Sequence, residues 1–299
     1  MAYKSHKYVL LEKEGHIVRV ILNRPEKLNT WDFPGQGGLL DDFYAALDEI
    51  EEDDDVKAVI IKGAGRSFSA GHDLNTVGFI YGMGTGKVGE RRASQRTRLK
   101  VDRKWIEGCH QRLLYFPKVT IAAVHGHCIG EGLAVALSCD IFMAAEGSQI
   151  GCAEQRLGFS GSGIGYIPVL MLSVGLKRAR EMLLTGRLVD GREAERIGLV
   201  AKCVADGELD KEAEKMAKVV TLLPRDGLAI GKAFTQLVYD SLGLTTGHIL
   251  GYIGHTMFTN LRWEEDEYNF FKERREKGTK AGFHGRDARY AGLVEEAKP

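Results

Sequence analysis

Two stretches decide the fold: Ser67-Phe68-Ser69-Ala70-Gly71-His72-Asp73-Leu74 and His125-Gly126-His127-Cys128-Ile129-Gly130-Glu131-Gly132. Each follows a short, continuous apolar run, residues 56–61 and Val119–Val124, the pattern of a strand buried on both faces. Ser69, Ala70 and Gly71 are small enough to let a ligand approach main-chain N–H groups. The second stretch enters an apolar helix over residues 132–139, whose unpaired first amides and dipole favour negative charge. Two such turns can converge on one developing oxyanion, which favours acyl chemistry. Neither has the GxGxxG or GxxxxGK[ST] spacing of a nucleotide loop.

The composition fits this class. The chain has 299 residues, enough for a large core, and 41 basic residues balance 41 acidic ones. Zero net charge argues against a nucleic-acid binder or a polybasic membrane-surface protein. Hydrophobic content of 44% and charged content of 27% exclude global disorder. The 37 glycines, with only six prolines, point to many tight turns and close backbone approaches rather than to a linker. Cys109, Cys128, Cys139, Cys152 and Cys203 are odd in number and contain no CxxC pair, so reduced thiols are expected, with no disulfide framework and no metal site. The first residues lack a long apolar signal region, and the most apolar stretch is broken by His125, His127, Glu131 and Asp140. A soluble cytoplasmic protein is expected.

Working outward, residues 8–11 and Ile17–Leu22 read as a hairpin around Glu14-Gly15, and residues 39–50 as an amphipathic helix. A glycine-rich, then basic, loop over 78–103 leads into a helix running to Phe116. Ile141–Ala145, Gln149–Gly151 and residues 199–204 read as strands, with helices over 168–174 and 177–185. Beyond Asp206 the periodicity is helical, in four segments: 209–223, 226–242, 248–262 and 265–277. The expected organisation is an α/β core over 1–205 and an all-helical region over 206–299.

In order and spacing, Asn23-Arg24-Pro25 with Leu28-Asn29, Phe68 to Leu74, Ile121 to Gly132, Cys139-Asp140-Ile141, Ala153-Glu154 with Leu157-Gly158, Met182 to Gly186 and Ala194 with Gly198-Leu199-Val200 resemble the crotonase (enoyl-CoA hydratase/isomerase) superfamily. The resemblance covers residues 8 to about 277. It implies a ββα spiral core with a C-terminal helical oligomerisation domain, a homotrimer or dimer of trimers, and an acyl-CoA substrate. Coenzyme A then arrives as part of the substrate, with no permanently bound cofactor. The implied catalytic set is Glu154 with the backbone amides of Ala70 and Glu131, which hold the thioester oxygen. The implied substrate-binding positions are Lys27, Leu28, Ser69, Ala70, Gly71, Asp73, Leu74, Gly130, Ala134, Ser162 and Arg274, the last matching a basic residue that reaches the coenzyme of a neighbouring subunit.

Two departures matter. The family usually has glycine where Glu131 stands, and a simple contact with the helix dipole is expected of its side chain. The first of the two hydratase glutamates falls on Ala134, which cannot move a proton. Single-glutamate relatives include enoyl-CoA isomerases, thioester or C–C bond hydrolases and hydratase-lyases. Ser162 at the aspartate position of dienoyl-CoA isomerases counts against that activity, and Glu154 itself counts against a dihydroxynaphthoyl-CoA synthase. Hydration or double-bond shift with one glutamate is the preferred reading. A degenerate acyl-CoA binder is the non-enzymatic alternative. His72, His125 and His127 are expected to be structural, and Tyr252 to pack in the core.

Overall fold

The computed structural model describes residues 3–75, 93–158, 165–257 and 263–295. Strands β1 (Val9–Glu14) and β2 (Ile17–Leu22) form the expected hairpin. They open a six-stranded sheet that continues in parallel through β3 (Ala58–Gly63), β4 (Val119–Val124), β6 (Ile141–Ala145) and β9 (Lys202–Val204). A smaller sheet joins β5 (His127–Ile129), β7 (Gln149–Gly151) and β8 (Leu188–Val189). β3 begins two residues later than its apolar run, because its pairing with β2 runs from Ile17 opposite Ala58 to Leu22 opposite Gly63. β9 is shorter than expected, since β6 offers it only Met143 to Ala145 as partners. β8 and the short helix after it were not anticipated.

Both faces of the large sheet are covered, which explains the uninterrupted apolar runs. Val59 and Ile61 of β3, with Ala122 and Val124 of β4, point into the main core against helix α1 (Leu39–Glu51). Ala58, Ile60, Ile121 and Ala123 point the other way, onto Leu209, Ala213, Ala217 and Val220. The boundary expected between residues 205 and 206 therefore falls just before a helix that closes the second face of the sheet.

Helix α2 (Gln95–Trp105) does not continue as a regular helix to Phe116. It widens into a π-helical segment, Ile106–Gln111, before ending in Arg112–Leu114. An i→i+5 turn brings residues five apart onto one side, here Trp105 and His110. After β5 comes α3 (Glu131–Leu137), and after β7 come α4 (Ile167–Val174), α5 (Leu176–Thr185) and α6 (Gly191–Arg196). The helical region comprises α7 (Leu209–Thr221), α8 (Arg225–Ser241), α9 (Leu244–Met257), α10 (Phe270–Lys277) and α11 (Thr279–Ala288). Phe270 and Phe271 of α10 join the main core, so α10 and α11 lie against their own chain. Phe234, Leu237, Leu242, Leu250, Ile253 and Met257 of the α8–α9 region are exposed. Among the described residues, no helix is long and apolar enough to cross a membrane.

Candidate active site

The two glycine turns meet. A parallel bridge pairs Ser69 with Cys128, and Gly71 lies so close to Ile129 that a Cβ there would stand 2.8 Å from its carbonyl oxygen. Between the turns opens a cavity of about 500 Å³, with Leu28, Ala70, Gly130, Trp105 and Glu154 among its walls.

The Asn23–Asn29 loop is held by Asn29, which is fully buried. Its amide donates to the carbonyls of Ala64 and Ser67 at 2.9 and 2.8 Å, and its Oδ1 accepts from the Arg24 N–H at 2.8 Å. Leu28 and Asn29 both take left-handed conformations, with φ of 53° and 52°. Asn tolerates that region and Leu does so only under constraint. The constraint aims the Leu28 carbonyl at the Ala70 amide, which donates to it at 3.0 Å. One of the two expected oxyanion donors is thus engaged by its own chain. The Glu131 amide, at the start of α3, has no acceptor within its own helix.

Glu154 sits in a short 3-10 turn, Ala153–Leu157, directly after β7. Tyr166 donates its hydroxyl to Oε1 at 2.7 Å. Oε2 is buried, has no hydrogen-bond partner among the described residues, and lies beside Gly130. Burial raises the carboxyl above its usual range, and nearby Glu131 adds to this, while the Tyr166 hydrogen bond opposes it. A partly desolvated carboxylate with one anchored and one open oxygen is fit to accept and return a proton.

Glu131 corrects an expectation. Its side chain makes no simple dipole contact at the helix start but is buried. Oε1 accepts from Trp105 Nε1 at 2.7 Å, and His110 Nε2 lies 2.9 Å from Oε2. His72 Nε2 lies 4.0 Å from the same carboxylate. His72 stacks on Phe33, and its pKa falls to about 4, chiefly through burial. Cys109, His110 and Glu131 present donor atoms within 4.8 Å of one another. Both carboxylate oxygens are already engaged there, and burial pushes the thiol well above its ordinary value, so the group is poorly suited to a metal.

Of the other expected positions, Lys27, Leu28, Ala70, Gly71, Asp73, Leu74 and Gly130 line the cavity. Asp73 binds Lys27 at 3.1 Å and Arg24 at 3.3 Å. Although burial alone would raise its pKa, the Asn75 amide and Lys27 hold it below the ordinary value. Ser69 is outside the lining. Its hydroxyl is turned inward and donates to the Asn29 carbonyl at 2.8 Å. Ala134 is also outside, packed in the main core. Arg274 donates to the Leu74 carbonyl of its own chain. Ser162 and most of the 78–103 loop lie outside the described residues. His125 holds the Gly65 carbonyl at 2.9 Å, a structural role, whereas His127 lines the cavity. Tyr252 packs against the core. Trp105, Tyr166 and His255 also line the cavity, and nothing local in the sequence marked them.

The sequence pattern of the enoyl-CoA hydratase/isomerase family matches residues 12–276, and the chain belongs to that family. A short-chain-enoyl-CoA hydratase of Clostridium acetobutylicum is 34% identical over 72% of this chain and 76% of its own length. An enoyl-CoA hydratase/isomerase structure from Xanthobacter autotrophicus Py2 superposes with a TM-score of 0.78 at 29% identity, covering 96% of this chain and 100% of that one. A monofunctional enoyl CoA isomerase of M. smegmatis superposes with a TM-score of 0.61 at 30% identity, covering 81% and 98%. The mixed α/β core with C-terminal helices is the crotonase fold.

Proposed function

We propose that the chain hydrates an enoyl thioester of coenzyme A or shifts its double bond, with Glu154 as the single acid/base. The observation that carries this reading is the Glu154 carboxylate in the cavity, anchored by Tyr166 on one oxygen and open on the other. A double-bond shift needs one such group: it takes a proton from one side of the unsaturated system and returns it on the other. Glu154 alone suffices for this shift, which is therefore the reaction that it serves most directly. The amides of Ala70 and Glu131 would stabilise the enolate oxygen, with the thioester oxygen replacing the Leu28 carbonyl as acceptor for Ala70. Lys27, Arg66 and Arg286 on the cavity wall would offer cations to the phosphates of the coenzyme, which enters and leaves with the acyl group. No resident cofactor takes part.

The test uses crotonyl-CoA and a 3-enoyl-CoA with the purified chain and its Glu154→Gln variant. The expected result is a fall in kcat of about 10²–10⁴, the contribution of one positioned acid/base, with coenzyme affinity nearly unchanged. Equal turnover by both proteins would refute Glu154 as the acid/base, and none by either would refute the reading and leave a protein that holds acyl-CoA without transforming it.

A further inference from the structure

We propose that Trp105 closes the acyl end of this cavity and restricts the substrate to short-chain enoyl thioesters. The proposal rests on the enoyl-CoA reading above and names the class of acyl group that the site takes.

The cavity has two unlike ends. Lys27 and Arg66, both exposed, stand at its mouth, where the phosphates of the coenzyme keep contact with cations and water. Trp105, the last residue of α2, also lines the cavity but is only 2% exposed. On the enoyl-CoA reading the amides of Ala70 and Glu131 hold the thioester oxygen. The indole stands one side chain past these amides. Its Nε1 donates to Glu131 Oε1 at 2.7 Å, and its ring centre lies 4.4 Å from that of His72, two residues after Ala70. With the phosphates at the mouth, the acyl chain runs inward, toward the indole.

The indole is held from several sides. Phe33 packs edge to face with 5.6 Å between ring centres, and His110 and His255 do so at 5.5 Å each. Phe33 is 1% exposed and His110 is fully buried, so protein rather than solvent lies behind the ring. Rotation would also break the bond to Glu131, leaving Oε1 only the longer contact with His110 at 3.1 Å. A buried carboxylate oxygen that loses a donor is costly. A close-packed wall of this kind does not deform to admit a longer chain. The surface beside it is also a poor one for further methylenes, because the His72 imidazole and the Glu131 carboxylate flank the indole.

Wild type, Trp105→Ala and Trp105→Phe are compared on crotonyl-CoA and trans-2-octenoyl-CoA. The readout is the ratio of kcat/KM for the longer substrate to that for the shorter, which cancels any general loss of activity or of folded protein. The wild-type ratio is expected to lie below about 0.1. Trp105→Ala should raise it by more than about tenfold, since each methylene that gains an apolar contact is worth about fourfold. Trp105→Phe keeps an aromatic ring against Phe33 and preserves the packing if Trp105→Ala does not fold. It should raise the ratio about fourfold. A wild type that takes both substrates equally well overturns the proposal, as does a ratio that stays at the wild-type value in the variants that fold. Wild-type turnover of neither substrate overturns the enoyl-CoA reading itself.

Discussion

Gly130→Ala tests the placement of the base against backbone strain. Gly130 has φ 56° and ψ −112°, a combination that L-residues avoid. A Cβ there would stand 3.1 Å from Glu154 Oε2 and 3.3 Å from its carboxyl carbon. The backbone penalty is about 1–3 kcal/mol. The contact also obliges the carboxylate to yield, and a base misplaced by about 1 Å loses about 10² in rate. Gly15→Ala is the matched control: φ is 57° at an exposed hairpin turn, with nothing within 4 Å of the added Cβ. Urea unfolding should show both variants destabilised, Gly15→Ala by about 1–2 kcal/mol. Turnover at saturating substrate should fall about 100-fold in Gly130→Ala and stay at the wild-type value in Gly15→Ala. A Gly130→Ala protein that loses stability yet keeps its kcat would show that the open oxygen of Glu154 is not where the proton moves.

Two further expectations concern the whole molecule. Burial lowers the pKa of His72 and of His248 to about 4, so the unfolded chain binds more protons than the native one between about pH 6.5 and 4. Stability is complete above that window and is lost as the pH falls through it, by up to about 3 kcal/mol per histidine. Urea midpoints at pH 7 and 4.5 should separate, and His248→Gln should remove part of the difference; an unchanged gap would contradict the assignment. The exposed apolar residues Phe234, Leu237, Leu242, Leu250, Ile253 and Met257 form a face too large for a soluble monomer, and a trimer or hexamer is expected. Light scattering at micromolar concentration checks this, with a monomer mass as the refuting result.

The sheet was largely legible because β3 and β4 are buried on both faces and so appear as unbroken apolar runs. The one-sided helix α1 was legible for the complementary reason: Leu39, Leu40, Phe43, Ala46, Leu47 and Ile50 keep a helical period and are all buried. Strand ends were less legible, since the β3 limits depend on the length of β2 and those of β9 on what β6 leaves open. Around the cavity, the glycine turns announced themselves through local chemistry. The side chains on its walls did not. Asp102 meets His255 only because α9 packs on α2, and Tyr166 meets Glu154 across twelve residues of chain. Ser69 shows the opposite failure: a residue inside the motif turns its hydroxyl away from the cavity to fasten the Asn29 loop.

The π-helical segment has a consequence for how this chain can change. It holds one residue more than an α-helix of the same reach, and that surplus puts Trp105 and His110 together on Glu131. A single-residue deletion within 107–109 would restore ordinary winding and leave the flanking turns in place, because the π segment already absorbs the extra residue within the same reach. Trp105 and His110 would then stand four apart, still on one side of the helix. A deletion in the regular turns of α2 would instead rotate its two sides by about 100° relative to each other, so descendants of this sequence could shorten the helix at the π segment far more readily than beside it.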